Sequence, residues 1–167
     1  ASFILSSTTV TAAENAGTGT FTVRLGTQPL SDVVISLTST TTTEGTVSPA
    51  TLTFTTANWN TAQTVTVTGV DDLIDTAAND TSNIVAAVVD ARADNQFDAV
   101  ADQTVVATYT DNDTASYTVS ATTITVGENA GTATFTVKLD TQPVSNVVIS
   151  TTSGALTQGT VAPATLT

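Results

Sequence analysis

The feature that most constrains the fold is a repeat of the chain within itself. The segment "ENAGTGTFTV" begins at Glu14 and "ENAGTATFTV" begins at Glu128, so the two copies start 114 positions apart (128 − 14). With this offset, residues 1–53 align with residues 115–167 without a gap, and about two thirds of the paired positions are identical. Solenoid repeats have much shorter periods of roughly 20–50 residues. The long period therefore predicts one whole domain per repeat, in a tandem array.

The repeat divides the 167-residue chain into two predicted domains. Residues 1–114 form one complete repeat, and residues 115–167 form the N-terminal part of a second repeat of the same type. Two interpretations of the partial copy remain open. Either the chain is a segment of a longer array, or strands from a neighbouring identical molecule complete the second domain, as in donor-strand assembly.

Period-two alternation of apolar residues indicates β-strands nearly throughout. In "TFTVRL", "TLTFT" and "TVTVTG" the side chains predicted to point inward are Phe21, Val23, Leu25, Leu52, Phe54, Val65 and Val67. Roughly seven strands per repeat, punctuated by turn signals such as "GTQP", predict an all-β fold of tandem immunoglobulin-like antiparallel β-sandwiches. Trp59 lies in the polar loop "TANWNTAQ". We expect it to pack over the edge of the sandwich rather than to stack on a ligand.

Composition excludes several classes of function. The net charge of −12 repels phosphate backbones and anionic lipid, which disfavours nucleic-acid and membrane-surface partners. No apolar run approaches the roughly 20 residues of a membrane span, so membrane insertion is not expected. The chain has no Cys and no His, and it shows neither a nucleophile-elbow nor a phosphate-loop motif. With one Trp and two Tyr it also lacks the aromatic platforms of a sugar hydrolase. An enzyme is therefore not expected.

Acidic residues gather at three points that follow or interrupt predicted strands. They are Glu14 in "AENAG", Asp71, Asp72 and Asp75 in "VDDLID", and Asp111 and Asp113 in "YTDND". Carboxylates that lie close together repel one another unless a cation neutralises them. Calcium takes six to eight oxygen ligands and suits a donor set without nitrogen or sulfur. Solvated turn residues explain the same pattern equally well, because Asp and Asn favour turns for backbone reasons.

The order of these motifs resembles the Calx-beta domain. The segments "ENAGTGTFTV", "LTFTTANWNTAQTVTVTGVDD" and "YTDND" match it, and the chain is particularly similar to the tandem repeats of large bacterial surface and secreted proteins. The resemblance covers roughly residues 2–113 and the available part of the second copy. It implies calcium binding at one end of the sandwich through Glu14, Asp71, Asp72, Asp111 and Asp113, with Asp75 as a looser addition.

Two departures from the family pattern imply that the site binds fewer calcium ions or binds them more weakly. The family usually carries an acidic "DF" or "DY" motif before the strand that reads "TLTFT" here. The nearest acid in this chain is Glu44, which becomes Gln158 in the second copy. The closing triplet is also Asp-Asn-Asp, because Asn112 stands between the two acids.

The expected function is that of a non-catalytic structural repeat in an extracellular or cell-surface protein, such as an adhesin stalk, a surface layer or a filament. Asp113 lies only two residues before Ala115, where the next repeat begins. A calcium ion at this junction is therefore predicted to stiffen the array. The alternative is an adhesion module that binds a glycan or a protein through its loops. The loops "GTQPLSD" and "DTQPVSN" are nearly unchanged between the copies, which favours the structural interpretation.

Overall fold

The computed structural model describes residues 1–76, 78–90 and 93–167, and these form two compact units. The first unit consists of Ala1–Asp72 and Thr76–Asn112, and the second consists of Leu73–Asp75 and Asp113–Thr167. The predicted domain limits, 1–114 and 115–167, follow from the repeat alone and stay a prediction.

The first unit is a sandwich of two β-sheets. Its strands in chain order are β1 Phe3–Leu5, β2 Thr9–Ala13, β3 Thr18–Leu25, β4 Val33–Ser39, β5 Gly45–Ser48, β6 Thr51–Phe54, β7 Gln63–Gly69, β8 Asp80–Val88 and β9 Gln103–Thr110. One sheet has the order β1-β3-β7-β5, and the other has the order β2-β9-β8-β4-β6. The predicted all-β, immunoglobulin-like sandwich is confirmed.

The core of the first unit lies between the sheets and is built mainly from aliphatic side chains. All seven residues predicted to point inward are buried, and Val23, Leu25, Phe54, Val65 and Val67 are completely inaccessible to solvent. Burial of one such side chain contributes about 1.5–3 kcal/mol. Trp59 is partly buried against this core, as predicted, and its carbonyl accepts a hydrogen bond of 2.8 Å from the Leu25 backbone N–H.

One strand pairing departs from the antiparallel prediction. Strands β2 and β9 run parallel, with Val10 opposite Ala107 and Ala13 opposite Thr110. Every other strand pair in the described part of the chain is antiparallel. Because parallel strands end at the same edge of a sheet, the residues that follow β2 and β9 emerge side by side.

The buried Asp94 connects its own loop to the loop that contains Leu30 in the first unit. Asp94 accepts hydrogen bonds from the backbone N–H groups of Leu30 at 2.5 Å, Ser31 at 3.0 Å and Gln96 at 2.9 Å. The bond from Gln96, with those from Leu30 and Ser31, holds the pKa of Asp94 below its ordinary value, against the opposing effect of burial. Phe97, three residues further on, is 1% exposed and belongs to the core. The 93–100 segment thus closes the sandwich beside the Leu30 loop.

The second unit reproduces two of the strand pairs of the first. It contains β10 Tyr117–Val119, β11 Val137–Leu139, β12 Ile149–Ser150 and β13 Thr165–Leu166. Strand β10 pairs with β11, and β12 pairs with β13, both antiparallel. With the 114-residue offset, these pairs have the same register as β1 with β3 and β4 with β6.

The turn after β2 holds an alanine in the left-handed backbone region. Ala16 has φ 60°, and Ala130, its counterpart in the second copy, has φ 54°. This conformation costs an L-residue about 1–2 kcal/mol. We therefore expect Ala16→Gly to raise the free energy of unfolding by about 0.5–1 kcal/mol, less than the full strain because glycine loses more entropy on folding. Urea denaturation in the presence of a chelator measures the change.

Ala57→Gly is the matched control for this prediction. Ala57 is exposed in a turn and lies outside the left-handed region. The same change there relieves no strain and is expected to lower stability slightly through the unfolded chain. Equal effects of the two substitutions would show that the Ala16 conformation stores no strain.

Candidate metal centre

The parallel pairing of β2 and β9 brings two predicted site residues together. Glu14 follows the last residue of β2, and Asp111 follows the last residue of β9. The Glu14 backbone N–H donates a 3.1 Å hydrogen bond to the Thr110 carbonyl, which extends the ladder by one residue. The two acidic side chains are therefore held at the same end of the sheet by backbone bonds.

Three carboxylates approach one another closely at this end. Glu14, Asp111 and Asp113 each offer an oxygen atom, and these atoms all lie within 4.8 Å of one another. Glu14 is buried, whereas Asp111 and Asp113 are half-buried. Asp113 is the first residue beyond Asn112, the end of the first unit. We call these three residues the acidic cluster.

The carboxylate of Glu14 is the most unusual group in the cluster. Its side chain is only 2% exposed, and its Oε2 atom is buried with no hydrogen-bond partner among the described residues. Burial raises the pKa of Glu14, and the neighbouring Asp72, Asp111 and Asp80 raise it further. A hydrogen bond from the Asn112 backbone N–H opposes these effects. A buried acceptor without a partner costs about 1–3 kcal/mol, so the position favours a ligand that supplies positive charge.

Asp111 is held in place by the loop that leads into β8. Its Oδ2 atom accepts hydrogen bonds from the Thr76 backbone N–H at 2.5 Å and from the Thr76 hydroxyl at 3.2 Å. These bonds fix one carboxylate oxygen of Asp111. Metal sites commonly orient their ligands through such outer hydrogen bonds.

The remaining predicted site residues occupy three different situations. Asp72 is half-buried and is the acid with the largest electrostatic effect on Glu14. Asp71 is exposed and is not part of the acidic cluster. Asp75 is also outside the cluster, and its Oδ2 accepts a 2.6 Å hydrogen bond from the Ala115 backbone N–H within the second unit. The structure thus groups Glu14, Asp111 and Asp113, with Asp72 as a neighbour.

Sequence reasoning missed Asp80 as a neighbour of the acidic cluster. Asp80 is the first residue of β8 and pairs with Tyr109, two residues before Asp111. It is one of the three acids that raise the pKa of Glu14. The sequence does show an acid at the start of a predicted strand. Only the order of the strands in the sheet reveals that this strand lies next to β9.

Gly69 allows the segment that carries Asp72 to approach β2. A Cβ atom at Gly69 would lie 2.1 Å from the Ala13 carbonyl oxygen and 3.0 Å from the Glu14 Cα. The Gly69 N–H also donates a 3.0 Å hydrogen bond to the Gly17 carbonyl. The close backbone contact therefore requires glycine at the point where β7 leads into the acidic segment.

The donor set of the acidic cluster fits a hard divalent cation. All three candidate ligands are carboxylates, and the chain has no Cys or His to offer sulfur or imidazole nitrogen. Oxygen-only sites favour calcium or magnesium, and calcium accepts irregular geometry more readily. The residues present, together with the partnerless Glu14 oxygen, are therefore compatible with a calcium ion.

Comparison with known proteins identifies the fold. No family model matches the sequence, and no curated protein matches it. Among solved structures, the chain is similar to the E. coli chaperone DraB, with 8% identity and a TM-score of 0.51 over 87% of this chain and 89% of that one. It is also similar to the Salmonella enterica SafA pilin in complex with the SafB chaperone, with 10% identity and a TM-score of 0.50 over 66% of this chain.

A third similar structure is the periplasmic chaperone SfaE, with 12% identity and a TM-score of 0.48 over 66% of this chain. The chain spans 57% of SfaE and 54% of the SafA–SafB structure, which is little more than half of each. At such low identities the likeness to DraB and to the SafA–SafB structure shows the sandwich fold alone, because one fold serves many functions. Within the part of the chain that the structure describes, no helix has the length and apolarity needed to cross a membrane.

Proposed function

We propose that the protein is a non-catalytic structural module, part of a tandem array of Calx-beta-like repeats in a surface or secreted protein. The closely similar copies and the β-sandwich support a role as a spacer, such as an adhesin stalk, a surface layer or a filament. The high negative charge keeps such an array soluble at high local density. We place the module outside the cell or at its surface, because the repeats that the chain resembles belong to large surface and secreted proteins.

We further propose that the acidic cluster binds calcium. The observation that carries this proposal is the buried Glu14 Oε2 atom, which has no hydrogen-bond partner among the described residues and lies beside other carboxylates. Glu14, Asp111 and Asp113 would hold the ion, with Asp72 close enough to add charge. Bound calcium supplies the positive charge that offsets burial of the Glu14 carboxylate and repulsion among the acids.

Calcium is expected to raise the melting temperature of the first unit. Extracellular calcium modules bind with dissociation constants of about 10⁻⁴–10⁻³ M. At roughly 10 mM calcium, mass action then adds about 1.4–2.7 kcal/mol to the free energy of unfolding. This corresponds to roughly 5–10 °C for a domain of about 100 residues. Calorimetry with calcium and with a chelator measures the shift, and Asp111→Asn should remove most of it.

Asp32→Asn is the matched control for the calcium test. The second copy already carries Asn146 at the equivalent position, so the fold accepts the change. This variant loses one exposed negative charge outside the acidic cluster and should keep the full calcium shift. Identical melting temperatures of the parent chain in calcium and in chelator would contradict calcium binding.

Calcium is also proposed to stiffen the joint between repeats. Asp113 is followed only by Thr114 before Ala115 begins the next copy, so a ligand at Asp113 restrains the linker. We expect a chain of two complete repeats, residues 1–114 joined twice, to have a larger maximum dimension in calcium than in chelator. Small-angle scattering measures this dimension. If the two scattering profiles superimpose although calcium raises the melting temperature, calcium binds but does not stiffen the joint.

The proposed partners are proteins. Neighbouring repeats of the same chain are the primary partners, because the copies follow one another with almost no linker. Strand completion by an identical molecule is the alternative partner for the second unit. Nucleic acid and membrane insertion are not proposed, in agreement with the net charge of −12.

A further inference from the structure

Three residues of the first repeat fold as part of the second unit. The repeat places Leu73–Asp75 inside the first copy, between strands β7 and β8. Leu73–Asp75 nevertheless groups with Asp113–Thr167 in the second unit, whereas Asp72 and Thr76 on either side belong to the first unit. The segment therefore leaves the unit of its own repeat for three residues and then returns. We call Leu73–Asp75 the connector.

The connector accepts two backbone hydrogen bonds from residues of the second copy. The Asp75 Oδ2 atom accepts a 2.6 Å bond from the Ala115 N–H, and the Leu73 carbonyl accepts a 2.6 Å bond from the Gln142 N–H. Ala115 is the first residue of the second copy, whereas Gln142 lies between β11 and β12, 27 residues further on (142 − 115). Bonds from a backbone N–H to a carboxylate are roughly twice as strong as neutral ones. The connector is thus held at two distant points of the second copy.

The residues on either side of the connector are anchored in the first unit. Before the connector, the Val70 N–H donates a 2.9 Å hydrogen bond to the Glu44 carbonyl. After it, Thr76 donates hydrogen bonds to Asp111 Oδ2 from its backbone N–H and from its hydroxyl. Because both ends are fixed, the connector cannot swing freely as a long loop would.

The loop that meets the connector is the same in both copies. Gln142 belongs to the sequence "TQP", which recurs without change in the first copy. The residue before this loop is bonded to the start of the copy in each case. The Gly26 N–H donates a 2.8 Å hydrogen bond to the Ser2 carbonyl, and the equivalent bond from Asp140 to Ser116 is 3.0 Å long. Each repeat therefore presents its first residues and its "TQP" loop side by side, in the arrangement that the connector meets.

We propose that the connector of each repeat docks on the repeat that follows it, at the first residue and at the "TQP" loop of that repeat. The partner is the next copy of this domain, which the connector recognises by accepting hydrogen bonds from two of its backbone N–H groups. Two bonds at a segment anchored at both ends restrict rotation about the covalent link between Thr114 and Ala115. The inference rests on the proposed tandem array and requires no calcium.

Amide hydrogen exchange of the 167-residue chain in chelator tests the docking. We expect Asp75→Ala to make the Ala115 and Gln142 amides exchange at least fivefold faster, because the connector loses the carboxylate that holds it. Asp71→Ala is the matched control, since it removes an exposed acid of the same motif that lies in the first unit. It should leave both exchange rates unchanged. Parent-like exchange of either amide in Asp75→Ala, or equal effects of the two variants, would overturn the proposal.

A chain of two complete repeats, residues 1–114 joined twice, tests whether the docking runs from one repeat to the next. Asp75→Ala in the first repeat should make the Ala1 and Gln28 amides of the second repeat exchange at least fivefold faster in chelator. The same substitution in the second repeat, which has no repeat after it in this chain, should leave those amides unchanged. Equal effects from both positions would overturn the proposal, because Asp75 would then act within its own repeat.

The outcome is independent of the calcium tests. Faster exchange in Asp75→Ala, without any calcium shift in melting temperature, would support the connector and contradict calcium binding. A calcium shift without faster exchange in Asp75→Ala would support calcium binding and overturn the connector.

Discussion

Gly69→Ala is expected to destabilise the first unit by about 3 kcal/mol and to weaken calcium binding. The added Cβ atom would lie 2.1 Å from the Ala13 carbonyl oxygen, a backbone atom that cannot rotate away. Overpacking of a well-packed site typically costs 1–3 kcal/mol, and a clash between two strands lies at the upper end of that range. The melting temperature should fall by roughly 12 °C. Thermal and urea denaturation in chelator measure the loss.

The effect of Gly69→Ala on calcium binding distinguishes Gly69 from a glycine that matters only for packing. Relief of the clash must move β7 away from the turn after β2, and β7 leads directly into the segment with Asp72. The remaining calcium shift in melting temperature should therefore be less than half that of the parent chain. Gly159→Ala is the control, since a Cβ atom there has nothing within 4 Å, and it should change stability by less than about 0.5 kcal/mol. A Gly69→Ala variant as stable as this control would refute the close approach.

The sandwich could be predicted from the sequence because strand alternation is a local property. In a half-buried strand, each apolar residue faces the same side as the residue two positions away, so Phe21, Val23 and Leu25 had to share one face. The structure buries all three. The packing of Trp59 could be predicted on a different ground, because a large apolar ring in a polar loop needs a surface to cover.

The arrangement of the acids could be predicted only in part, because it depends on strand order. Glu14 and Asp111 lie together because β2 and β9 run parallel, a pairing between segments almost 100 residues apart that leaves no periodic signal. The same non-local pairing brings Asp80 near, which the sequence pattern did not single out. Asp71 and Asp75 belonged to the same acidic motif as Asp72, yet neither belongs to the acidic cluster or is among the acids that raise the pKa of Glu14.

Glu14→Gln is expected to have opposite effects with and without calcium. In chelator, the variant should be more stable than the parent chain by about 1 kcal/mol, because a buried acceptor without a partner becomes a neutral amide that can also donate. In calcium, the variant should lose most of the roughly 5–10 °C shift, since the most buried ligand loses its charge. Parallel calorimetry of both proteins in the two buffers shows whether the order of stability reverses.

The dependence of stability on pH tests the cause of this reversal. Because the folded-state pKa of Glu14 is raised above 4.5, the folded parent chain binds a proton more readily than the unfolded chain does. In chelator, this contribution to stability is fully present below pH 4.5 and is lost as pH rises through the folded-state pKa. Glu14→Gln has no such group, so the difference in free energy of unfolding between variant and parent should grow with pH across that window.

Asp32→Asn is again the control, because it removes one exposed acid outside the acidic cluster. Its free energy of unfolding should change with pH as that of the parent chain does. The free energy of unfolding of Glu14→Gln should diverge from the parent value above pH 4.5. A difference in free energy of unfolding between Glu14→Gln and the parent chain that stays constant with pH would mean that the folded state does not disfavour the charged form of Glu14. The buried carboxylate would then create no demand for a cation, and the calcium proposal would lose the observation on which it depends.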